Sequence, residues 1–262
     1  MLSTVARAFE VLSLFTPTES SWGASSVALR LGLPKSSAHD LLRSLYDLGM
    51  LERQTGGQYR LGLGLLTLTH SVCAGRPWLA ASRQAIAALA EASGEVVHLS
   101  VLQDGALLHL EDAHPNCGYG EDLGLPSPGL ASMSVPPQCS AMGKAMLSAL
   151  PWSEVQALIR RQGLPGLTVN SISTPDELQT ELERIRQQGY AYDVEEAFPG
   201  VCCIAVPVHG EDGRVQAAIS MSMKADRFYA GKAVHRAQLL EAVARLEAAI
   251  RRTPVPRIQA TA

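Results

Sequence analysis

Apolar residues near the start of the chain fall at helical intervals. Val5, Ala8, Phe9 and Leu12 stand at i, i+3, i+4 and i+7, and Ser3 and Thr4 precede them as acceptors for the free N–H groups of a helix start. A loop is expected over residues 16–23 and a short helix over 25–31, stopped by Gly32. Pro34 suits the first turn of a further helix, whose Ala38, Leu41, Leu42, Leu45 and Leu48 form one apolar stripe before Gly49 ends it. The two helices are separated only by Gly32-Leu33-Pro34, the short turn of a helix-turn-helix. Residues 50–61 then read as two strands around Gly56-Gly57, a dipeptide suited to the positive φ angles of a tight hairpin. Three helices followed by a hairpin make a winged helix-turn-helix.

The period is helical again over residues 62–93, with a break near Gly75 and Pro77. Strands are expected at 95–103 and 106–111 around Asp104-Gly105, and at 203–208 and 215–223 around Glu211-Asp212-Gly213. Helices are expected at 141–150, 153–162, 175–188 and 232–252, the third with a capping box from Thr174 to Glu177 and a stop at Gly189. Residues 113–137 are rich in proline and glycine and read as a loop with one short strand near 133–135. Hairpins with helices set between them argue for an antiparallel sheet with helices against it, so the fold class is α+β. The expected boundaries are 1–61 for the winged helix-turn-helix, 62–76 for a linker helix, 77–252 for a second domain and 253–262 for a tail.

Candidate chemistry follows from which faces these elements present. With the apolar stripe of the helix beginning at Lys35 turned inward, Ser36, Asp40 and Arg43 share the outward face, and Ser37 and His39 flank it near the N-terminus. Hydroxyls, an imidazole and cations at that end are what a recognition helix uses on base edges and phosphates, although an ordinary solvated face has the same pattern. Arg53 and Arg60 stand where a wing would touch the DNA backbone.

In the strand 215–223, alternation puts Ser220 and Ser222 on one face. In its neighbour, Cys203 shares a face with Ala205, so a thiol and two hydroxyls converge if both faces point inward. Alternation alone favours the plainer reading of serines facing solvent. Cys202-Cys203 lies in an apolar run typical of inert buried thiols rather than a nucleophile. Asp193, Glu195 and Glu196 have no histidine at ligand spacing and read as a polar loop rim. Lys144 lacks the full phosphate-loop pattern. No metal site and no cofactor is indicated.

Composition changes this picture little. Apolar residues make up 47% and charged residues 18%, the balance of a globular protein. The net charge of −3 excludes an indiscriminate polyanion binder, and residues 1–60 are slightly basic at +1. Five cysteines, none in a C-x-x-C pair, suggest reduced thiols. The absence of a signal pattern or a membrane-length apolar run makes the cytoplasm the expected location.

Three segments in order, LGLPKSSAHDLLRSLYDLGMLERQTGGQYRLG, QCSAMGKAMLSALP and GYAYDVEEAFPGVCCIAVPV, closely resemble the IclR family of bacterial transcription regulators, over residues 4–250. The resemblance implies a winged helix-turn-helix, a linker helix and a C-terminal effector domain of GAF or profilin-like fold. It implies a repressor or activator that binds a double-stranded DNA operator through residues 34–48, responds to a small organic acid or related metabolite, and works as a homodimer or dimer of dimers. A contact with RNA polymerase stays open. Carried over by position, the effector contacts resemble Asp193, Cys203, Ser220 and Ser222, with backbone amides around Ser140, Ala141 and Gly143 as a further anion contact.

The chain departs from the family at Asp40, where an arginine facing DNA is common, and Arg43 is the nearest substitute. Its 113–137 loop is also longer than usual. Two rival readings follow: a metabolite-binding protein with impaired DNA binding, or a cysteine-dependent enzyme.

Overall fold

The helix-turn-helix forms because its turn is built for it. Gly32 takes the left-handed conformation (φ 64°) that a side chain would disfavour, and the amide of Leu33 donates to the carbonyl of Ala28, closing α2 (Ala24–Leu31). Pro34 then opens α3 (Lys35–Asp47). In this computed structural model, which describes residues 3–16, 18–115 and 135–252, the chain divides into two compact units, Met1–Arg76 and Pro77–Ala262.

In the first unit, α1 (Ser3–Ser13), α2 and α3 enclose a core of Val11, Phe15, Val27, Ala38, Leu42 and Leu45, capped by Leu51 and Tyr59. The wing is β2 (Leu51–Arg53) and β3 (Gln58–Leu61), turned by Gly56 and Gly57 at positive φ. A two-residue strand β1 (Trp22–Gly23), in the segment expected to be loop, pairs with β3 and makes the order β1-β3-β2. The Trp22 indole anchors it by donating to the carbonyl of Leu14 at 2.9 Å.

The inward face of α1 is the expected one only in part, at Ala8 and Leu12. Ala8, Val11, Leu12 and Phe15 pack into the core, while Val5 and Phe9 stay exposed, Phe9 by 71%. α4 (Gly64–Ala74) closes this unit without burying any residue.

The second unit is an antiparallel sheet in the order β5-β4-β8-β7-β6, formed by β4 (Val96–Gln103), β5 (Ala106–Ala113), β6 (Ala191–Val194), β7 (Val201–His209) and β8 (Val215–Lys224). Long helices α5 (Pro77–Ser93) and α9 (Ala225–Arg252) cover one face, through Ile86, Leu89, Phe228, Leu239 and Val243 against Val97, Leu99, Ile204 and Met221. The other face meets α6 (Ala141–Leu147) and α8 (Pro175–Gln188), with α7 (Trp152–Gln162) outside them. All seven residues of α6 are buried.

Two differences from expectation have local causes. Strand β6 is only four residues long and follows directly on Gly189 and Tyr190, which hides it from periodicity. Helix α9 starts seven residues early, because Ala225 leaves β8 straight into a turn whose Asp226 suits a helix N-terminus. The expected strand near 133–135, most of the proline-rich loop, Cys117 and the tail from 253 lie outside the described residues.

Candidate functional site

On α3 the burial of Ala38, Leu42 and Leu45 fixes what faces outward. Lys35, Ser36, His39, Asp40 and Arg43 are exposed and Ser37 is half-buried. Pro34 offers no side chain to cap the helix, so its first-turn N–H groups have no acceptor from that residue's side chain. Two of the cations are already engaged. Arg60 holds Glu52 across the wing at 2.6 Å, and Arg43 stands 3.8 Å from Asp47. Arg53 lies at the exposed end of β2. Asp40 is almost fully solvated, beside the His39 ring.

The second site lies on the sheet face under α6 and α8. Register sets Asp193, Cys203 and Ser222 side by side across β6, β7 and β8, and the next row brings Ser220 opposite Ala205 on one side and His98 on the other. The Cys203 Sγ lies 3.2 Å from the Ser222 Oγ. Ser220 is buried, and its hydroxyl has no hydrogen-bond partner among the described residues. A buried hydroxyl left unpaired costs roughly 1–3 kcal/mol.

Asp193 is 2% exposed. Its Oδ1 accepts the backbone N–H of Glu196 at 2.7 Å. Burial, helped by the Glu196 carboxylate, pushes its carboxyl up to about 7. Behind it, the buried ammonium of Lys144 donates to both oxygens of Glu196 at 2.6 and 2.7 Å and stands 3.7 Å from Glu181. Burial raises the Glu196 carboxyl and Lys144 pulls it back. Glu195 is half-buried at positive φ and accepts the amide of Gly200. The polar rim expected at 193–196 is thus a buried charge network, because α6 brings Lys144 up from beneath it. Sequence reading missed this role of Lys144 and Glu196, since its signal is a charge inside an otherwise apolar helix whose partner lies far along the chain.

A folded-state carboxyl raised above its unfolded value carries stability that is complete below the unfolded pKa and lost as pH rises through the folded one. The stability carried by Asp193 is therefore lost between about pH 4 and pH 7. Asp193→Asn, which keeps the acceptor oxygen, should leave Tm nearly unchanged at pH 4 and raise it at pH 8 in a scanning fluorimetry series.

Ser140 caps α6 by accepting the N–H of Gly143 at 3.0 Å. That occupies one amide expected to meet an anion. A Cβ on Gly143 would lie 2.1 Å from the carbonyl oxygen of Pro137, so Gly143 serves close packing. Gly143→Ala should cost at least about 1–3 kcal/mol in chemical denaturation, as overpacking does.

Burial also moves the thiols away from nucleophile chemistry. Cys202 is pushed up to about 11, and Cys203 is raised as well.

The chain matches known proteins. The description "Bacterial transcriptional regulator IclR C-terminal" fits residues 71–249, and "IclR helix-turn-helix domain" fits residues 4–55. The glycerol operon regulatory protein of Streptomyces coelicolor is 31% identical, covering 79% of this chain and 79% of its own. The acetate operon repressor of Salmonella typhimurium is 29% identical, covering 84% of this chain and 80% of its own. An IclR homolog from Microbacterium hydrocarbonoxydans, solved in complex with 4-hydroxybenzoate, superposes with a TM-score of 0.83 at 24% identity, covering 95% of this chain and all of that one. Such relatives are regulators rather than enzymes, and this chain belongs to the IclR family of DNA-binding transcription regulators, with an N-terminal helix-turn-helix and a C-terminal effector domain.

Proposed function

We propose that the effector is a small carboxylic acid held on the sheet face by Asp193, Cys203, Ser220 and Ser222, and that its binding is coupled to operator binding by α3 and the wing. The observation that carries this is the orphaned Ser220 hydroxyl, in the row next to Asp193, Cys203 and Ser222. Neutral donors suit a carboxylate that enters without a partner cation. An Asp193 that is half protonated near neutrality can donate to an effector oxygen. The homolog bound to 4-hydroxybenzoate supports this chemical class.

The partner in DNA binding is a second copy of the chain. Val5 and Phe9 on α1, and Leu66, Leu68 and Val72 on the wholly unburied α4, form apolar surface that one copy leaves in water. A dimer would place two recognition helices on the half-sites of a palindromic operator. No helix among the described residues is long and apolar enough to cross a membrane, and a DNA-binding regulator works in the cytoplasm.

The test is calorimetric titration of the full chain with a panel of aliphatic and aromatic carboxylates, 4-hydroxybenzoate included. Saturable binding of a panel member that Ser220→Ala weakens about tenfold, the loss of one hydrogen bond in a buried site, supports the reading. Binding unaffected by Ser220→Ala and Ser222→Ala together would place the effector elsewhere.

A further inference from the structure

Beside Ser220 the same sheet face holds three buried titratable side chains that nothing above uses. β4 and β5 pair His98 with Asp112 and Ser100 with His109, across a register shift between Leu99 and Ser100. That bulge turns Asp112 onto the face of the two histidines, where unbroken register would have placed it opposite Val97. The His98 Nδ1 lies 2.5 Å and the His109 Nε2 2.7 Å from one oxygen, Oδ1 of Asp112. The three side chains are 8%, 9% and 18% exposed.

The two imidazoles differ in a telling way. The Nδ1 of His109 lies 3.3 Å from the Ser100 hydroxyl, and in the tautomer that donates to that oxygen Nε2 is a bare lone pair. That Nε2 is buried and stands 2.7 Å from the Asp112 oxygen, but not in the alignment of a hydrogen bond. A lone pair facing a carboxylate oxygen is repulsive unless a positive centre sits between them. A ring nitrogen fixed by an outer hydrogen bond, with its other nitrogen aimed at a carboxylate, is how proteins orient a histidine ligand.

We infer that His98, His109 and Asp112 bind a divalent transition-metal ion, with zinc as the best match to two imidazoles and a carboxylate. Donor atoms around a tetrahedral zinc stand roughly 3.3 Å apart. The two N···O separations therefore open by less than about 1 Å as the ion enters, which a small rotation of the Asp112 side chain supplies. Ser100 acts behind the ligands, holding His109 in the binding tautomer. The inference stands apart from the effector reading, because the probe is the metal alone.

The experiment is equilibrium dialysis of the chelator-treated full chain against zinc, with cobalt(II) absorption as a second readout. The expected result is one ion per chain, a tetrahedral cobalt spectrum without thiolate charge-transfer bands, and loss of both in His109→Gln and in Asp112→Asn. Ser100→Ala, which touches no ligand atom of the metal, should weaken binding by roughly ten- to a hundredfold while leaving the far-UV spectrum unchanged. No saturable binding by the folded chain would overturn the inference. So would thiolate bands, or binding that His109→Gln and Asp112→Asn leave intact, since the ion would then belong to other residues.

Discussion

Lys144→Met should destabilise the effector domain by about 3–5 kcal/mol, the usual result of removing one partner from a buried ion pair. Lys144 is 1% exposed and binds both oxygens of Glu196. Without it, Glu196 must stay ionised in an apolar setting or take up a proton, while Glu181 keeps the Arg184 guanidinium at 2.8 Å. For a domain of this size the midpoint should fall by on the order of 10 °C. The fall should be larger at pH 8 than at pH 5, because below its raised pKa the stranded Glu196 is neutral.

The double variant Lys144→Met, Glu196→Leu separates charge from shape. It should recover most of the loss, since a buried pair replaced by apolar groups is often neutral in stability. It should also keep the hydrogen bond to Asp193, because the donor is the backbone N–H of residue 196, which leucine also carries. A single variant as stable as the parent would mean that Glu196 swings to solvent.

Asp40→Arg should tighten operator binding by about tenfold and steepen the dependence of log K on log salt by about one unit, as each neutralised phosphate contributes about 0.9. The carboxylate stands on the exposed face of α3, 3.8 Å from the His39 ring, where it would repel a DNA backbone laid against that face. Arg43→Ala should act in the opposite sense, lowering affinity and flattening the slope by about one unit. Anisotropy titrations at several salt concentrations read both effects. If neither change moved the slope, α3 would not be the element that meets DNA, and a metabolite sensor without DNA affinity would be the better description.

Much of this architecture is legible in the residues. The α3 stripe from Ala38 to Leu45, the Gly32 stop, the Thr174 capping box and the alternation in β7 and β8 are local devices, and they appear where the pattern predicts them, whereas Leu48, expected to end the stripe, lies beyond α3 and is exposed. The shared face of Cys203, Ser220 and Ser222 follows from the same period of two. What is not legible depends on distant partners. Periodicity cannot choose between the Val5–Phe9 and Val11–Phe15 edges of α1, because only the packed neighbours decide which is inside. The Lys144–Glu196 pair joins α6 to the turn after β6, and neither residue signals the other. His98 and Asp112 meet only through a bulge that hairpin spacing does not foretell.

The central claim is that one small molecule and one DNA site are thermodynamically linked through this chain, each changing the other's affinity by the same factor. The most direct measurement is fluorescence anisotropy of the full chain on duplexes tiling its own upstream region, with a scrambled duplex as control, without and with the carboxylate identified by calorimetry. The account predicts saturable binding that prefers one tile and is salt-dependent, shifted several-fold by the carboxylate, with the shift abolished by Ser220→Ala. Equal, weak binding to every duplex, unmoved by the carboxylate, would contradict it.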